Sequence, residues 1–227
     1  MSSIAIVGES GTGKSTSYGH LPEIGIKGLD PKETVVINVS GKDLPFRAWR
    51  KLYYGKVSEG GNYVETSDAK IISEVITYIS ENRQDIKNIV IDDAQYIMAL
   101  EFMSRAKDNG YGKFADIGVN MSKVIVAAKN CRENLKVYFL WHPEKTNDGS
   151  LKMKTVGKMV DDYLTLEGLF TVVLYTTVEK KDKNVSYNFV TNFDGKYPAK
   201  SPFGMFKSLY IPNDLGYVSE IIDEYNN

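Results

Sequence analysis

The feature that most constrains how this chain can fold is the segment IAIVGESGTGKST at residues 4–16. Its apolar run ends at Val7 and is followed by a turn with three glycines, then by Lys14, Ser15 and Thr16. The turn matches G-x-x-x-x-G-K-[ST] at every fixed position, and backbone N–H groups in such a turn point inward at phosphate oxygens. The pattern predicts a buried parallel strand up to Val7 and a helix that begins at Lys14.

The fixed positions of this turn also predict its ligands. Lys14 supplies a positive charge for the β- and γ-phosphates, and the Ser15 hydroxyl is placed to ligate Mg²⁺. We therefore expect ATP and Mg²⁺ to bind here. The expected nucleotide ligands are Gly8, Glu9, Ser10, Gly11, Thr12, Gly13, Lys14, Ser15 and Thr16.

Composition limits the architecture. The chain has 227 residues, of which 42% are hydrophobic and 25% charged, and no composition break marks a second domain. We expect one domain over residues 1–227, with a nucleotide-binding core at 1–168, a strand and hairpin extension at 169–211 and a C-terminal helix at 212–227.

Composition also bears on the compartment. Cys131 is the only cysteine, which excludes an internal disulfide framework and fits a reducing compartment. The sequence has no apolar run near eighteen residues and no charged-then-apolar leader, so we expect a cytoplasmic protein with no membrane partner. The net charge of -1 gives no global attraction to nucleic acid, so any basic surface must be local.

Apolar strand patterns alternate with helical spacings along the chain. This alternation predicts an α/β fold with a mainly parallel sheet covered by helices, and a C-terminal antiparallel hairpin around the charged turn EKKDKN at residues 179–184. The expected strands are Ile4–Val7, Thr34–Val39, Asn88–Ile91, Lys136–Trp141 and Phe170–Thr177.

Two carboxylates end the third of these strands, in NIVIDDAQYI at residues 88–97. An ATPase with this kind of phosphate turn needs one acid for the Mg²⁺ shell and another to orient or deprotonate an attacking water. We assign Asp92 to the metal and Asp93 to the water. Without the turn at residues 8–16, two acids after a strand would more often cap a helix or lie in a solvated loop.

The strand ending VYFLWHPE, residues 137–144, places His142 at its tip. In ATPases whose sheet has a strand between the phosphate-turn strand and the acidic strand, the tip of that strand presents a polar residue to the γ-phosphate. His142 is therefore a candidate catalytic sensor. The alternative is a histidine that is satisfied structurally beside Pro143.

The order of these motifs resembles a family. After GESGTGKST, IVIDDAQ and the strand ending in histidine come GKMVDDYLTLEGLFTVVLYTT and FVTNFDGKYPAKSPFGMF. The series is similar to the short RecA-like P-loop ATPases encoded by bacteriophages, among them the single-strand annealing recombinases. The resemblance spans Ile4 to Phe206 and implies a RecA-type core, ATP, Mg²⁺, self-assembly into a ring or filament on single-stranded DNA, and the host cytoplasm.

The chain departs from that family in two ways. RecA-like ATPases usually carry a glutamate near the end of the second strand, whereas VVINVSGKDLPF has Asn38, Ser40 and Asp43 there. Either Asp93 or Asp43 then activates water, or hydrolysis is slow and ATP acts as a switch. No arginine follows Arg132, so an arginine finger from the C-terminal part is excluded.

Lys200, in YPAKSPFG, is our candidate for a lysine in that role. A lysine reaching in from a neighbouring subunit can neutralise charge on the γ-phosphate even without a bidentate fork. The alternative is a solvated loop lysine.

Two basic segments are candidates for DNA binding. Residues 142–158 follow the histidine strand, where RecA-like proteins place a mobile DNA-binding loop, and residues 42–56 interleave cations with aromatic rings. The rings of the second segment also fit a core helix. The candidate DNA ligands are Lys145, Lys152, Lys154, Lys158, Arg47 and Arg50.

Three function classes follow. The first is a DNA-stimulated ATPase that anneals or exchanges single strands, with a single-strand-binding protein as a further candidate partner. The second is a nucleotide-switched replication accessory protein such as a helicase loader. The third is a small-molecule kinase. It is disfavoured because such kinases usually bind acceptor phosphates with several arginines from a lid, and this chain has no arginine after Arg132.

Overall fold

A mainly parallel sheet forms the centre of the molecule. The computed structural model describes residues 3–110, 112–147, 149–162, 164–182 and 184–227, except the side chains of residues 158 and 159. Within those residues the strands are β1 (Ser3–Val7), β2 (Thr34–Asn38), β3 (Tyr63–Glu65), β4 (Asn88–Asp92), β5 (Lys136–Trp141), β6 (Pro143–Lys145), β7 (Leu151–Met153), β8 (Val172–Lys181), β9 (Asn184–Val190) and β10 (Tyr210–Pro212). The helices are α1 (Trp49–Leu52), α2 (Ala69–Asn82), α3 (Gln95–Ser104), α4 (Gly112–Lys129), α5 (Lys158–Asp161) and α6 (Leu215–Asn226).

The order of the strands confirms the predicted RecA-like α/β class. In the described residues the main sheet runs β10-β9-β8-β1-β5-β4-β2-β3, and its neighbours from β8 to β3 are parallel. β8 and β9 form the expected antiparallel hairpin, in which Lys181 pairs with Asn184. β5 lies between β1 and β4, so the histidine strand separates the phosphate turn from the acidic strand, as predicted.

Side chains alternate between the two faces of this sheet. In β1, Ala5 and Val7 pack on the face covered by α2, α3 and α4, whereas Ile4 and Ile6 pack on the face covered by α6 and by residues 18–29 and 44–53. All four of these side chains are fully buried. Burial on both faces explains why the central strands are continuous apolar runs.

The helix expected to begin at Lys14 is absent from the described structure. A single 3-10 turn, Thr16–Tyr18, follows the phosphate turn instead. Gly19 then adopts an extended conformation and Pro22 opens a second 3-10 turn, so the chain cannot continue as a helix. Tyr18 is buried against Phe46 and Tyr53, and these rings fill the face that a longer helix would have covered.

Two short strands lie within residues 142–158, where we expected a loop. β6 and β7 pair antiparallel, and Pro143 lies opposite Met153. The hairpin is tied to β5 because the Trp141 Nε1–H donates to the Lys154 carbonyl at 2.7 Å and the Lys154 N–H donates to the His142 carbonyl at 3.0 Å. A short ordered hairpin therefore extends directly from the tip of β5.

Among the described helices, none has the length and apolar character needed to cross a membrane.

Candidate functional site

The phosphate turn is held against the carboxyl ends of β1, β5 and β8. The Gly8 N–H donates to the Trp141 carbonyl at 3.0 Å. A Cβ at Gly8 would lie 1.7 Å from Thr176 Oγ1, so no larger residue fits there. Gly11 and Gly13 have φ of 79° and 89°, a left-handed conformation that favours glycine. The three glycines therefore give the turn its shape, as the sequence predicted.

Lys14 spans this turn from within. Its side chain is buried, and the ammonium donates to the Gly8 carbonyl at 2.6 Å and the Glu9 carbonyl at 3.0 Å. Burial lowers the pKa of Lys14 to about 8, against the opposing attraction of Asp93 and Asp92. The ammonium is thus poised over the turn where phosphate oxygens would lie.

This lowered pKa predicts a pH dependence of nucleotide binding. Only the ammonium form attracts phosphates, so affinity should be flat below pH about 8 and fall by about tenfold per pH unit above it, until Lys14 stays neutral in the complex as well. Calorimetric titration of ADP in two buffers of different ionisation enthalpy should show uptake approaching one proton at pH about 9. Binding with no proton uptake at that pH would contradict this assignment.

Asp92 contacts Ser15, the other residue that we expect to bind Mg²⁺. The Ser15 hydroxyl donates to Asp92 Oδ1 at 2.8 Å, and the buried Tyr18 hydroxyl donates to Oδ2 at 2.9 Å. Burial, and then the neighbouring Asp93 charge, raise the pKa of Asp92. A hydroxyl and a carboxylate oxygen facing a phosphate turn fit Mg²⁺, which commonly takes one or two protein ligands together with substrate phosphates and water.

Asp93 lies beside Asp92 but faces different partners. Its φ of 63° is left-handed, and its side chain is buried, with one oxygen 2.5 Å from Lys42 Nζ and the other 3.3 Å from His142 Nε2. Burial alone would raise the pKa of Asp93, but hydrogen bonds from His142 and Lys42 outweigh it and hold the pKa well below its usual value. Asp93 is thus a charged carboxylate that lies between Lys42 and His142.

Most of these groups line one cavity of about 440 Å³, whereas Asp92 is buried behind Ser15 and is not part of the cavity wall. Gly13, Lys14, Ser15, Asp93 and His142 form its phosphate end. Its other walls include less polar side chains from the segment after the phosphate turn and from the hairpin: Ile24, Ile26, Pro45 and Tyr187. The cavity therefore offers a charged end for phosphates and a more apolar end for the rest of a nucleotide.

The sequence profile of the AAA domain family matches residues 2–203. The chain belongs to the AAA domain family. Together with the complete phosphate turn, this makes it a nucleotide-binding P-loop ATPase domain, whose usual ligands are a nucleotide and Mg²⁺. Among curated proteins, no sequence matches the chain. Among solved structures, a KaiC-like protein from the archaeon Pyrococcus horikoshii superposes with a TM-score of 0.43 and 13% identity, covering 83% of this chain and 78% of that chain.

Two residues that sequence reasoning passed over complete the site of this AAA domain. Lys42 follows β2, in the stretch where RecA-like ATPases usually carry a glutamate, and its ammonium reaches Asp93. Asn213 donates from Nδ2 to the Thr12 carbonyl at 3.1 Å, so the chain just before α6 supports the P-loop. The position of Lys42 just after a strand could have marked it as a site residue. The contact between Thr12 and Asn213 depends on tertiary packing and could not be predicted from the sequence.

The remaining candidates lie at the edge of this cavity or outside it. Glu9 and Ser10 are exposed, and Ser10 lies at the cavity rim, as does Asp43, which pairs with Arg50. Lys200 pairs through its backbone with Val173 beside β8 and does not line the cavity. A role for Lys200 as a finger therefore requires a second chain.

The candidate DNA ligands differ in how far their charge is already neutralised. Lys152 lies 2.9 Å from a Glu144 oxygen and 2.5 Å from an Asp161 oxygen, so its charge is compensated within the chain. Arg50 pairs with Asp43 and stacks over Trp49 at 4.5 Å. Exposed side chains remain at Lys145, Lys154 and Arg47, whereas the Lys158 side chain lies outside the described structure.

Of the aromatic residues near Arg47, Tyr54 is exposed, but the other three pack within the chain. Phe46 and Tyr53 are buried, and Trp49 packs against Tyr63 with ring centroids 5.2 Å apart. Of the two interpretations of residues 42–56, the core packing is the one that the structure supports.

Proposed function

We propose that this AAA domain is an ATPase that couples its nucleotide state to single-stranded DNA, in strand annealing or exchange. Lys14 and the P-loop amides would bind the phosphates, and Ser15 and Asp92 would hold Mg²⁺. The metal would supply positive charge against the phosphate oxygens as the β–γ bond breaks. Asp93 is the carboxylate best placed to orient the attacking water, because Asp43 is exposed at the cavity rim and paired with Arg50.

The observation that carries the coupling is the position of His142. His142 Nε2 lies 3.3 Å from Asp93 Oδ1, and the His142 backbone N–H donates to Gln95 Oε1 at 3.3 Å. The His142 carbonyl accepts the Lys154 N–H. One residue thus contacts both the catalytic carboxylate and the base of the β6–β7 hairpin. A change at the γ-phosphate that moves Asp93 would be transmitted to the hairpin through His142.

The β6–β7 hairpin supplies the DNA contacts in this proposal. Lys145 is exposed on β6 and Lys154 is exposed just after β7. Both can approach a phosphate backbone without breaking an ion pair of the kind that holds Lys152. We further propose that copies of the chain assemble along the strand, with Lys200 reaching the γ-phosphate of a neighbour, and that a single-strand-binding protein is a further partner.

The test is ATP turnover of the wild type with and without single-stranded DNA, and DNA affinity as a function of salt. Replacing Lys145 and Lys154 together with alanine should abolish DNA stimulation and reduce the salt slope of binding by about 1.4, or about 0.7 per lost phosphate contact. The matched control replaces Lys123 and Lys180, two exposed lysines elsewhere. Equal losses in both double variants, or turnover that ignores DNA in the wild type, would refute the DNA role.

The nucleotide-switched accessory protein is the second candidate. The ion pairs of Lys152 and Arg50 favour it, because they reduce the charge that residues 42–56 and 142–158 offer to a phosphate backbone. It predicts that a protein partner, rather than DNA, stimulates turnover.

A further inference from the structure

The structure points to a second phosphate cation within the same chain. We infer that Lys42 binds the γ-phosphate of ATP and, by leaving Asp93, frees that carboxylate for the attacking water. This inference rests on the proposed ATPase function and adds to it a device that distinguishes ATP from ADP.

The backbone that carries Lys42 is fixed by side-chain hydrogen bonds. Asn38, the last residue of β2, donates from Nδ2 to the Lys42 carbonyl at 2.7 Å and accepts the Gly41 N–H at 3.1 Å. Gly41 has a φ of 68°, which permits the sharp reversal. The turn therefore holds the base of the Lys42 side chain at the cavity wall while its long stem stays free to reorient.

The two lysines of the cavity differ in exposure and in how many groups hold them. The Lys42 side chain is 55% exposed, whereas Lys14 is 6% exposed and held by two carbonyls. A lysine ammonium on a flexible stem can exchange one anionic partner for another. Lys42 is therefore the cation of the pair that can follow a change of ligand.

An exchange of partners by Lys42 would change the surroundings of Asp93, the carboxylate with which it pairs. Asp93 is 1% exposed, and in the described structure the Lys42 ammonium lies 2.5 Å from one of its oxygens while His142 Nε2 lies 3.3 Å from the other. A γ-phosphate next to Ser15 would bring further negative charge to the same space and compete with Asp93 for Lys42. ADP has no γ-phosphate and would leave the Lys42–Asp93 pair in place.

Release of Asp93 Oδ2 would complete the hydrolytic site. The water oxygen forms a bond to the γ-phosphorus while its proton passes to Asp93 Oδ2. The bond between the γ-phosphorus and the bridging oxygen breaks, and its electron pair leaves with ADP. Asp93 then returns the proton to the phosphate product or to solvent, and Lys42 pairs with it again as phosphate departs. His142 stays on the other oxygen and keeps Asp93 oriented throughout.

The experiment measures affinity for ADP and for a non-hydrolysable ATP analogue, both with Mg²⁺, beside ATP turnover. Lys42→Gln should leave ADP affinity within about twofold, weaken the ATP analogue by about tenfold or more and lower turnover by about a hundredfold. The control is Lys51→Gln, an exposed lysine outside the cavity, which should change none of these. Equal weakening of both nucleotides, or of neither, would overturn the inference.

A double-mutant cycle tests the exchange itself. Asp93→Asn should tighten binding of the ATP analogue by about threefold or more, because Lys42 is released, and should tighten it less than about twofold when Lys42→Gln is already present. Tightening of the same size in both backgrounds, or none in the wild type, would overturn the exchange. Failure of the proposed function is distinct, since the wild type would then bind neither nucleotide or Lys14→Met would bind as well as the wild type.

Discussion

Lys14→Met should lower ATP turnover by about a thousandfold or more while the protein stays folded. Methionine keeps an unbranched apolar stem in the turn and removes the ammonium that bridges the Gly8 and Glu9 carbonyls. Because burial already disfavours that charge, its loss should cost the fold little. Turnover and urea unfolding of the two proteins check this directly.

The matched control for this variant is Lys32→Met, which changes an exposed lysine away from the cavity. It should retain turnover within about twofold. If Lys14→Met kept turnover within tenfold of the wild type, hydrolysis would have to come from another site or a contaminating enzyme.

Asp214→Ala should reduce the free energy of unfolding by about 3–5 kcal/mol. Its carboxylate accepts the Gly216 N–H at 2.8 Å at the start of α6, and also the Lys27 N–H at 2.7 Å and the Gly28 N–H at 3.0 Å. Alanine would remove the helix cap and leave the N–H groups of Lys27 and Gly28 without this acceptor. Urea unfolding measures the loss.

Asp68→Ala is the control for that variant. Asp68 caps α2 in the same way, accepting the Lys70 N–H at 2.8 Å and the Ile71 N–H at 3.2 Å, but these bonds are exposed. Its loss should cost only about 1 kcal/mol. Equal destabilisation by the two variants would show that Asp214 acts as an ordinary cap and does not tie residues 27 and 28 to the helix.

Asp214→Ala should also weaken nucleotide binding, because Ile24 and Ile26 line the cavity just before the tied residues. ADP affinity measured at a temperature where the variant is still folded separates this effect from unfolding. Unchanged affinity would mean that this part of the cavity wall does not need the tie.

The parts of the fold that were predictable are those dominated by burial. β1, β4 and β5 are fully buried strands, and such strands appear in a sequence as continuous apolar runs. The pairing of Ser15 with Asp92 follows from the same logic, since both residues lie at the carboxyl ends of parallel strands that one strand separates.

Short elements and irregular backbone were not predictable in the same way. β3, β6, β7 and β10 have three residues each, too few to show a period. The helix after the P-loop is predicted from the motif alone. In the structure Gly19 is extended and Pro22 opens a second 3-10 turn, so no long helix forms there.

Charge counts were the least reliable guide. Lys152 is one of four lysines between residues 142 and 158, yet two carboxylates neutralise it. Lys42 was counted only as part of a basic segment, whereas its ammonium contacts the candidate catalytic carboxylate. A sequence gives the number of charges but not their partners, because the fold decides which charged side chains meet.

The tie between the two ends of the described chain has a consequence for synthesis. Asn213 supports the P-loop at Thr12, and Asp214 holds residues 27 and 28, across separations of about two hundred residues. Neither contact can form until the ribosome has released those late residues. A nascent chain therefore lacks these two supports of the nucleotide site through most of its translation.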